Sequence, residues 1–385
     1  AYAKAIQQTI AFIEREMTSE ENGFYSALDA DSEGVEGKFY TWSKKEIEQV
    51  LGDASALFCE FYDVSEHGNW EHTNILRVLR PLDLFAKEKG ISLTELEKQL
   101  GLSRQKLLAN RSKRIRPQLD DKILLGWKAL MNTAFSKAYA ALGDTAYRDR
   151  AIQNMRFLES KFSGTDRNLK HTYKNGQARI PAFLYDYAYL IQAYIHLQEI
   201  TGDGAYLIKA RVLTEQVLEN FLETSTGFFF YTHKQQTDVI VRKKEVYDGA
   251  TPSGNAVMAN NLYYLSLVFD QKEWKSRSHD LLISLGKAIV KHPTSFGVWA
   301  MALQSMTMGM LEIAVTGQRA KEFLAPVLQR FIPNKIIQAE ETNSVFFPLL
   351  AGKTGAQGGR TAFYLCKDYA CKEPFFTLET LLANV

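Results

Sequence analysis

The sequence predicts an all-α protein of the (α/α)6 toroid class, a ring of helical hairpins with short β segments in loops and at the C-terminus. Three observations predict it. Long apolar runs recur in pairs at helical spacing. A Gly-Asp breaker separates the members of the first two pairs, in ALGDTAYRDRA at 141–151 and ITGDGAYLIKA at 200–210, whose Asp144 and Asp203 lie 59 residues apart. Within each pair the first helix is apolar on all sides and the second keeps a polar face, so the first is buried and the second lies outside.

Taken in order, residues 3–17 read as an outer helix without its inner partner. Pairs follow at 122–142 with 145–162, at 182–200 with 204–223, at 253–269 with 273–291, and at 295–312 with 319–332. That makes nine helices where a six-hairpin ring has twelve, so the toroid reads as N-terminally incomplete, and the chain, which lacks an initiator Met, as the remainder of a longer protein. The expected organisation is one toroid domain over 1–385, with a helical insertion at 44–116 and a mixed C-terminal segment at 334–385. In that segment KIIQAE and TAFYLC read as strands, and AGKTGAQGG lacks the Lys-Ser/Thr of a phosphate-binding loop. An open superhelix of hairpins is the competing architecture. The long, mutually unlike outer-to-inner loops favour the closed ring, since such loops tend to carry sites.

Composition excludes several functions. A net charge of +2 from 46 Lys+Arg and 44 Asp+Glu supplies no field to recruit nucleic acid or an anionic membrane. The basic cluster Arg111, Lys113, Arg114 and Arg116 reads as a solvated helix end. No apolar run approaches the ~20 residues of a membrane span. Three cysteines do not make a disulfide framework, which favours a reducing, cytoplasmic setting. Cys366 and Cys371 read either as a pair close enough to oxidise or as two buried thiols. No zinc spacing, Ser-His-Asp arrangement or nucleotide-binding glycine motif is present, so neither a metal nor a cofactor is expected.

In a toroid the inner helices run parallel and their N-termini open on one rim. Four polar-aromatic motifs fall at those starts: LDADSEGVEGKFYTW (28–42), RPQLDDK (116–122), FLYDYA (183–188) and YDGATPSGN (247–255). The first concentrates Asp29, Asp31, Glu33 and Glu36, followed by Tyr40 and Trp42 in an expected short strand. Paired carboxylates are what glycosidic cleavage needs, and aromatic faces are what sugar rings stack on. The D-x-D-x-E-G spacing also suggests calcium, and a solvated acidic turn is the plain alternative. Asp120 and Asp121 precede an inner helix, where one would serve as N-cap. Asp186 stands between Tyr185 and Tyr187 in a first helical turn, favoured there by the helix dipole. Pro252 fits a first helical turn with Thr251 or Ser253 as cap, and leaves Asp248 without a structural duty. The candidate catalytic groups are therefore Asp29, Asp31, Glu36, Asp120, Asp121, Asp186 and Asp248. The candidate substrate-binding groups are Tyr40, Trp42, Lys122, Trp127, Tyr185, Tyr187, Ser253 and Asn255.

GFYSALDADSEGVEGKFYTW, RPQLDDK, DGATPSGN and YLCKDYAC, in that order, resemble the thioredoxin-domain-containing family of bacterial YyaL and spermatogenesis-associated protein 20. The resemblance implies a toroid akin to N-acylglucosamine 2-epimerases and six-hairpin glycosidases, and a thioredoxin-like domain carried in cis by full-length relatives. It transfers motif positions but no substrate. Two functions follow as expectations: a carbohydrate-binding or carbohydrate-processing rim site, glycosidase- or epimerase-like, for a sugar-like small molecule; or a non-catalytic scaffold that presents a client to the thioredoxin-like domain. Neither calls for nucleic acid or membrane.

Overall fold

The structure, a computed structural model, describes residues 2–164, 168–341 and 346–385. It divides into two compact units, residues 27–121 and residues 1–26 with 122–385. Helix α1 (Tyr2–Glu16) opens the larger unit.

The smaller unit begins earlier than the helical insertion read at 44–116 and takes in the whole acidic motif. Short strands β1 (Ala27–Leu28), β2 (Asp31–Ser32) and β3 (Val35–Glu36) precede helices α2 (Lys44–Leu51), α3 (Ser55–Phe61), α4 (Leu82–Lys89) and α5 (Leu93–Arg111), and β4 (Leu119–Asp120) closes it against β1. Its own core gathers Trp42, Ile47, Phe58, Phe85 and Leu96. Trp42 is not in the strand expected of it but makes a single bridge with Asn74. Of the basic cluster, Arg111 and Arg114 are half-buried against the unit's own aromatic rings, while Lys113 and Arg116 are exposed as expected of a solvated helix end. The Arg114 guanidinium lies 4.0 Å from the centre of the Trp42 ring and donates to the carbonyls of Lys38, Phe39 and Thr41, while Arg111 covers Tyr40 at 5.0 Å.

A reciprocal capping box starts α2: Ser43 Oγ accepts from Glu46 N, and Glu46 Oε2 accepts from Ser43 N at 2.8 Å. Ser43→Ala is expected to remove about 1 kcal/mol from this unit, read as a lower urea midpoint by far-UV circular dichroism. An unchanged midpoint would show that the cap does not hold the helix.

The larger unit resumes at β5 (Ile123–Leu124) and continues through α6 (Leu125–Leu142), α7 (Thr145–Phe162), the hairpin β6 (Lys170–Lys174) and β7 (Gln177–Pro181), α8 (Leu184–Thr201) and α9 (Ala205–Asn220). It goes on with α10 (Gly254–Phe269), α11 (Lys272–Lys291) and α12 (Gly297–Met308). Gly143 and Gly202 end α6 and α8 in the left-handed conformation, φ 75° and 67°, and Asp144 caps α7, so the two Gly-Asp breakers act as the sequence implies. Burial separates α8 and α10 from their outer mates. Fourteen of the 18 residues of α8 and 14 of the 16 of α10 are buried, against 4 of 16 in α9 and 5 of 20 in α11. The inner helices α6, α8, α10 and α12 pack in succession, each of the first three paired with its outer mate, which is toroid-type α/α packing.

The last of the expected helical pairs needs correction. The fourth pair does not form: after α12 the chain turns at Gly309 into β8 (Leu311–Thr316), and only α13 (Leu324–Leu328) and a 3-10 turn are helical in 319–332. LEIAVT finds a parallel partner in β9 (Lys335–Glu340) and an antiparallel one in β10 (Ala362–Lys367), which a reading of local periodicity does not see. The break after α7 leads into β6, and residues 165–167 lie outside the described residues. Strand β11 (Ala370–Cys371) completes the sheet order β11-β10-β8-β9, with α14 (Leu378–Leu382) after it. Cys366 and Cys371 face each other across β10 and β11 and form a disulfide, so they are not two buried thiols. Cys371 is exposed, and Cys59 is a buried free thiol.

Candidate functional site

Helix α6 starts at Leu124 without a side-chain cap of its own. Neither Asp120 nor Asp121 caps it, because β5 stands between them and the helix. The acceptor comes from the next inner helix: Asp186 Oδ1 takes the Gly126 N–H at 2.8 Å, and Oδ2 takes the Phe183 N–H at 2.9 Å. His171 Nδ1 from β6 lies 2.9 Å from Oδ2 and 3.2 Å from Oδ1. One carboxylate thus ties α6, α8 and the hairpin together, and it is 0% exposed. Burial pushes its pKa up, against the pull of His171 and the two backbone donors. Gly126 allows this approach: a Cβ there would meet the Tyr185 ring at 2.7 Å and Asp186 Oδ1 at 2.8 Å.

Asp248 plays a comparable part at the start of α10. Its Oδ1 accepts from Ser253 N at 2.9 Å and its Oδ2 from Val298 N at 2.8 Å, joining the 247–253 loop to α12. Ser253, not Thr251, is the N-cap, and Pro252 precedes the helix rather than opening it. The Tyr189 hydroxyl donates to the Pro252 carbonyl, and Trp299 Nε1 donates to the Val246 carbonyl at 2.7 Å.

Between these two fastenings lies a cavity of about 300 Å³, at the small end of small-molecule pockets. Trp127 of α6, Tyr185 of α8, Tyr231 and Tyr247 line it with aromatic surface; Glu245, Thr251 and Ser253 supply polar groups. Rings continue behind the wall, with Phe183 stacked on Tyr231 at 4.8 Å and His171 edge-on to Tyr185 at 5.8 Å. Burial pushes the Tyr185 and Tyr231 phenols up, and that of Tyr189 up to about 12, so all three remain neutral donors at ordinary pH.

Of the sequence-predicted residues in this unit, Trp127, Tyr185 and Ser253 line the cavity. Asp186 and Asp248 hold the backbone around it. Lys122 is exposed at the head of the unit. Tyr187 is buried at 5.2 Å from the Phe221 ring. Asn255, also buried, accepts from Phe229 N and donates to the carbonyls of Phe229 and Glu245. Tyr231, Glu245, Tyr247 and the role of His171 escape the sequence reading, and Thr251, expected there only as a possible cap, lines the cavity. YDGATPSGN already contained Tyr247 and Thr251, but Tyr231 and Glu245 sit outside any recognisable motif.

In the smaller unit Asp31 and Glu36 are cross-strand neighbours on an exposed hairpin, and Asp29 Oδ1 accepts from Asp31 N. Asp120 pairs with Ala27 in β4, with Asp121 next to it, while Tyr40 is at the surface and Trp42 in the core. Among the described residues no group of three or more His, Cys, Asp or Glu is placed to hold a metal ion, so the calcium reading of 29–36 finds no ligand set. No helix among the described residues is long and apolar enough to cross a membrane.

No protein-family model matches the chain. It is 30% identical to the Caenorhabditis elegans protein B0495.5 over 95% of its own length and 55% of that protein's. It is 29% identical to spermatogenesis-associated protein 20 of Rattus norvegicus over 97% of its own length and 52% of that protein's, and 27% identical to the Homo sapiens protein, 53% of which it covers. The chain therefore spans about half the length of the relatives it matches. Among solved structures it is similar to a cellobiose 2-epimerase from Bacillus thermoamylovorans (TM-score 0.37, 11% identity, 74% of this chain and 71% of that one). It is also similar to a GH76 α-mannanase from Bacteroides thetaiotaomicron (TM-score 0.38, 13% identity, the same two coverages).

Proposed function

We propose that in this homologue of spermatogenesis-associated protein 20 the cavity at the starts of α6, α8 and α10 binds a polyhydroxylated, sugar-like small molecule. The observation that carries the reading is the make-up of the wall: Trp127, Tyr185, Tyr231 and Tyr247 around polar groups from Glu245, Thr251 and Ser253. Aromatic faces cover the C–H faces of a sugar ring, and a few placed polar atoms fix its hydroxyls. Phenols held neutral donate, the Glu245 carboxylate accepts, and between them they match the alternating character of a diol. Asp186 and His171 act as positioning residues in this reading, since the Asp186 oxygens are already bonded to backbone and imidazole. Glycosidic cleavage needs two carboxyl groups beside the bond, and Glu245 is the one carboxylate among the described lining residues. Binding is accordingly what this cavity supports best.

Trp127 and Tyr247 are exposed, so replacing either leaves the core intact. A panel of mono- and disaccharides, screened by thermal shift and by Trp fluorescence, is expected to give at least one binder whose affinity falls tenfold or more in Trp127→Ala and Tyr247→Ala. No binder in the panel, or equal affinity in both variants, would overturn the reading.

A further inference from the structure

Strand β10 places Cys366 opposite Glu312 of β8 on one side and opposite Cys371 of β11 on the other. Paired residues of antiparallel strands share a face, with Cβ atoms about 4.5–5.5 Å apart. The Cys366 sulfur therefore has a carboxyl group as its cross-strand neighbour. Cys366 and Glu312 are each 2% exposed, whereas Cys371 is exposed.

Glu312 is unusual in its own right. Its Oε2 accepts from Tyr369 N at 3.2 Å, but its Oε1 is buried without a hydrogen-bond partner among the described residues. A buried, half-satisfied carboxyl is costly to a fold and calls for a reason. Burial pushes its pKa up and the Asp368 charge adds to that, against the pull of the Tyr369 and Asp368 N–H groups and of Lys353; the net direction is up, toward the protonated form. The titratable groups that face it are Lys353, Asp368 and Tyr369 from the loops and Tyr263 from α10.

We propose that Cys371, Cys366 and Glu312 form a thiol–disulfide exchange site for a dithiol partner, with Glu312 as the proton donor. A thiolate of the partner attacks the sulfur of Cys371, because that residue is exposed whereas Cys366 is buried. The S–S bond breaks, its electron pair goes to Cys366, and the Glu312 carboxyl protonates that leaving thiolate. A mixed disulfide now joins the partner to Cys371. The partner's second thiolate attacks its own sulfur in that bond and releases Cys371 as a thiolate, which takes a proton from solvent. The partner leaves as a disulfide, oxidised by two electrons, and the protein pair is reduced by two. Glu312 regains its proton from solvent. Run backwards, the same carboxylate deprotonates Cys366 to re-form the protein disulfide.

The test uses the folded chain with dithiothreitol as the dithiol and oxidised glutathione as the trapping probe, read by alkylation and mass spectrometry. Wild type is expected to be reduced without denaturant, and Glu312→Gln at least tenfold more slowly with its urea midpoint retained. Glu312→Asp, which keeps an acid, is expected to fall between the two and carries the test if Glu312→Gln does not fold. Cys366→Ser is expected to take glutathione on Cys371, and Cys371→Ser to resist it on Cys366. Reduction that occurs only in denaturant, a Glu312→Gln rate within twofold of wild type, or equal trapping at both cysteines would overturn the proposal.

Discussion

Asp186→Ala is expected to lower the stability of the larger unit by about 3–5 kcal/mol, because it strands several buried hydrogen-bond donors at once. Three donors depend on this carboxylate: Gly126 N–H, Phe183 N–H and His171 Nδ1. Alanine leaves all three in a site that water does not reach, since Asp186 is 0% exposed. Each stranded buried donor costs about 1–3 kcal/mol, so the effect exceeds that of a lost surface contact several times over. Asp186→Asn keeps one acceptor oxygen but brings an NH2 to donors that need an acceptor, and is expected to recover less than half of the loss. Urea unfolding followed by near-UV circular dichroism measures both, with an unchanged slope showing that the difference lies in stability. A loss below about 1 kcal/mol for the alanine variant would show that the Asp186 bonds do not join α6 to α8. The same variants should weaken saccharide binding, because Tyr185 is the neighbour of Asp186 and lines the cavity.

The second large effect is expected at Trp299. Its side chain is 0% exposed and its Nε1 donates to the Val246 carbonyl, beside the loop that bears Glu245, Tyr247 and Asp248. Trp299→Ala combines a large-to-small cavity cost of about 3–5 kcal/mol with a carbonyl left without its donor. Trp299→Phe keeps most of the packing and loses the hydrogen bond, so a cost of about 1–2 kcal/mol is expected. Hydrogen exchange should show faster opening at 245–253 in both variants, while 170–181 stays as in wild type. Protection unchanged at 245–253 would mean that Asp248, through Ser253 and Val298, holds the loop without the indole.

Legibility in the sequence followed the range of the interactions. Gly143, Asp144, Gly202 and Asp203 work within one helix end, and their roles as stop and start were readable from four residues. The buried character of α8 and α10 was readable because an all-round apolar surface has no other use in water. Proximity alone offers one of Asp120 and Asp121 as the cap of α6, whereas the acceptor that serves the Gly126 N–H lies 60 residues further on, at Asp186. LEIAVT straddles the end of the helix expected at 295–312 and the connection after it, because its strand identity depends on β9 and β10, whose pairing is not local. Tyr231 and Glu245 carry no signature because a cavity wall needs a position in space and not a spacing along the chain.

By itself, then, the sequence determined the class of fold, the alternation of inner and outer helices, the stops between them and the motifs that begin α8 and α10. Those depend on periodicity and on backbone conformations confined to a few residues. Only the tertiary structure decided which carboxylates are spent on backbone donors, which aromatic rings face open space, and that Cys366 sits between Cys371 and a buried acid. Those depend on which distant segments pack together, and burial there sets both the hydrogen-bond partners and the protonation of each group.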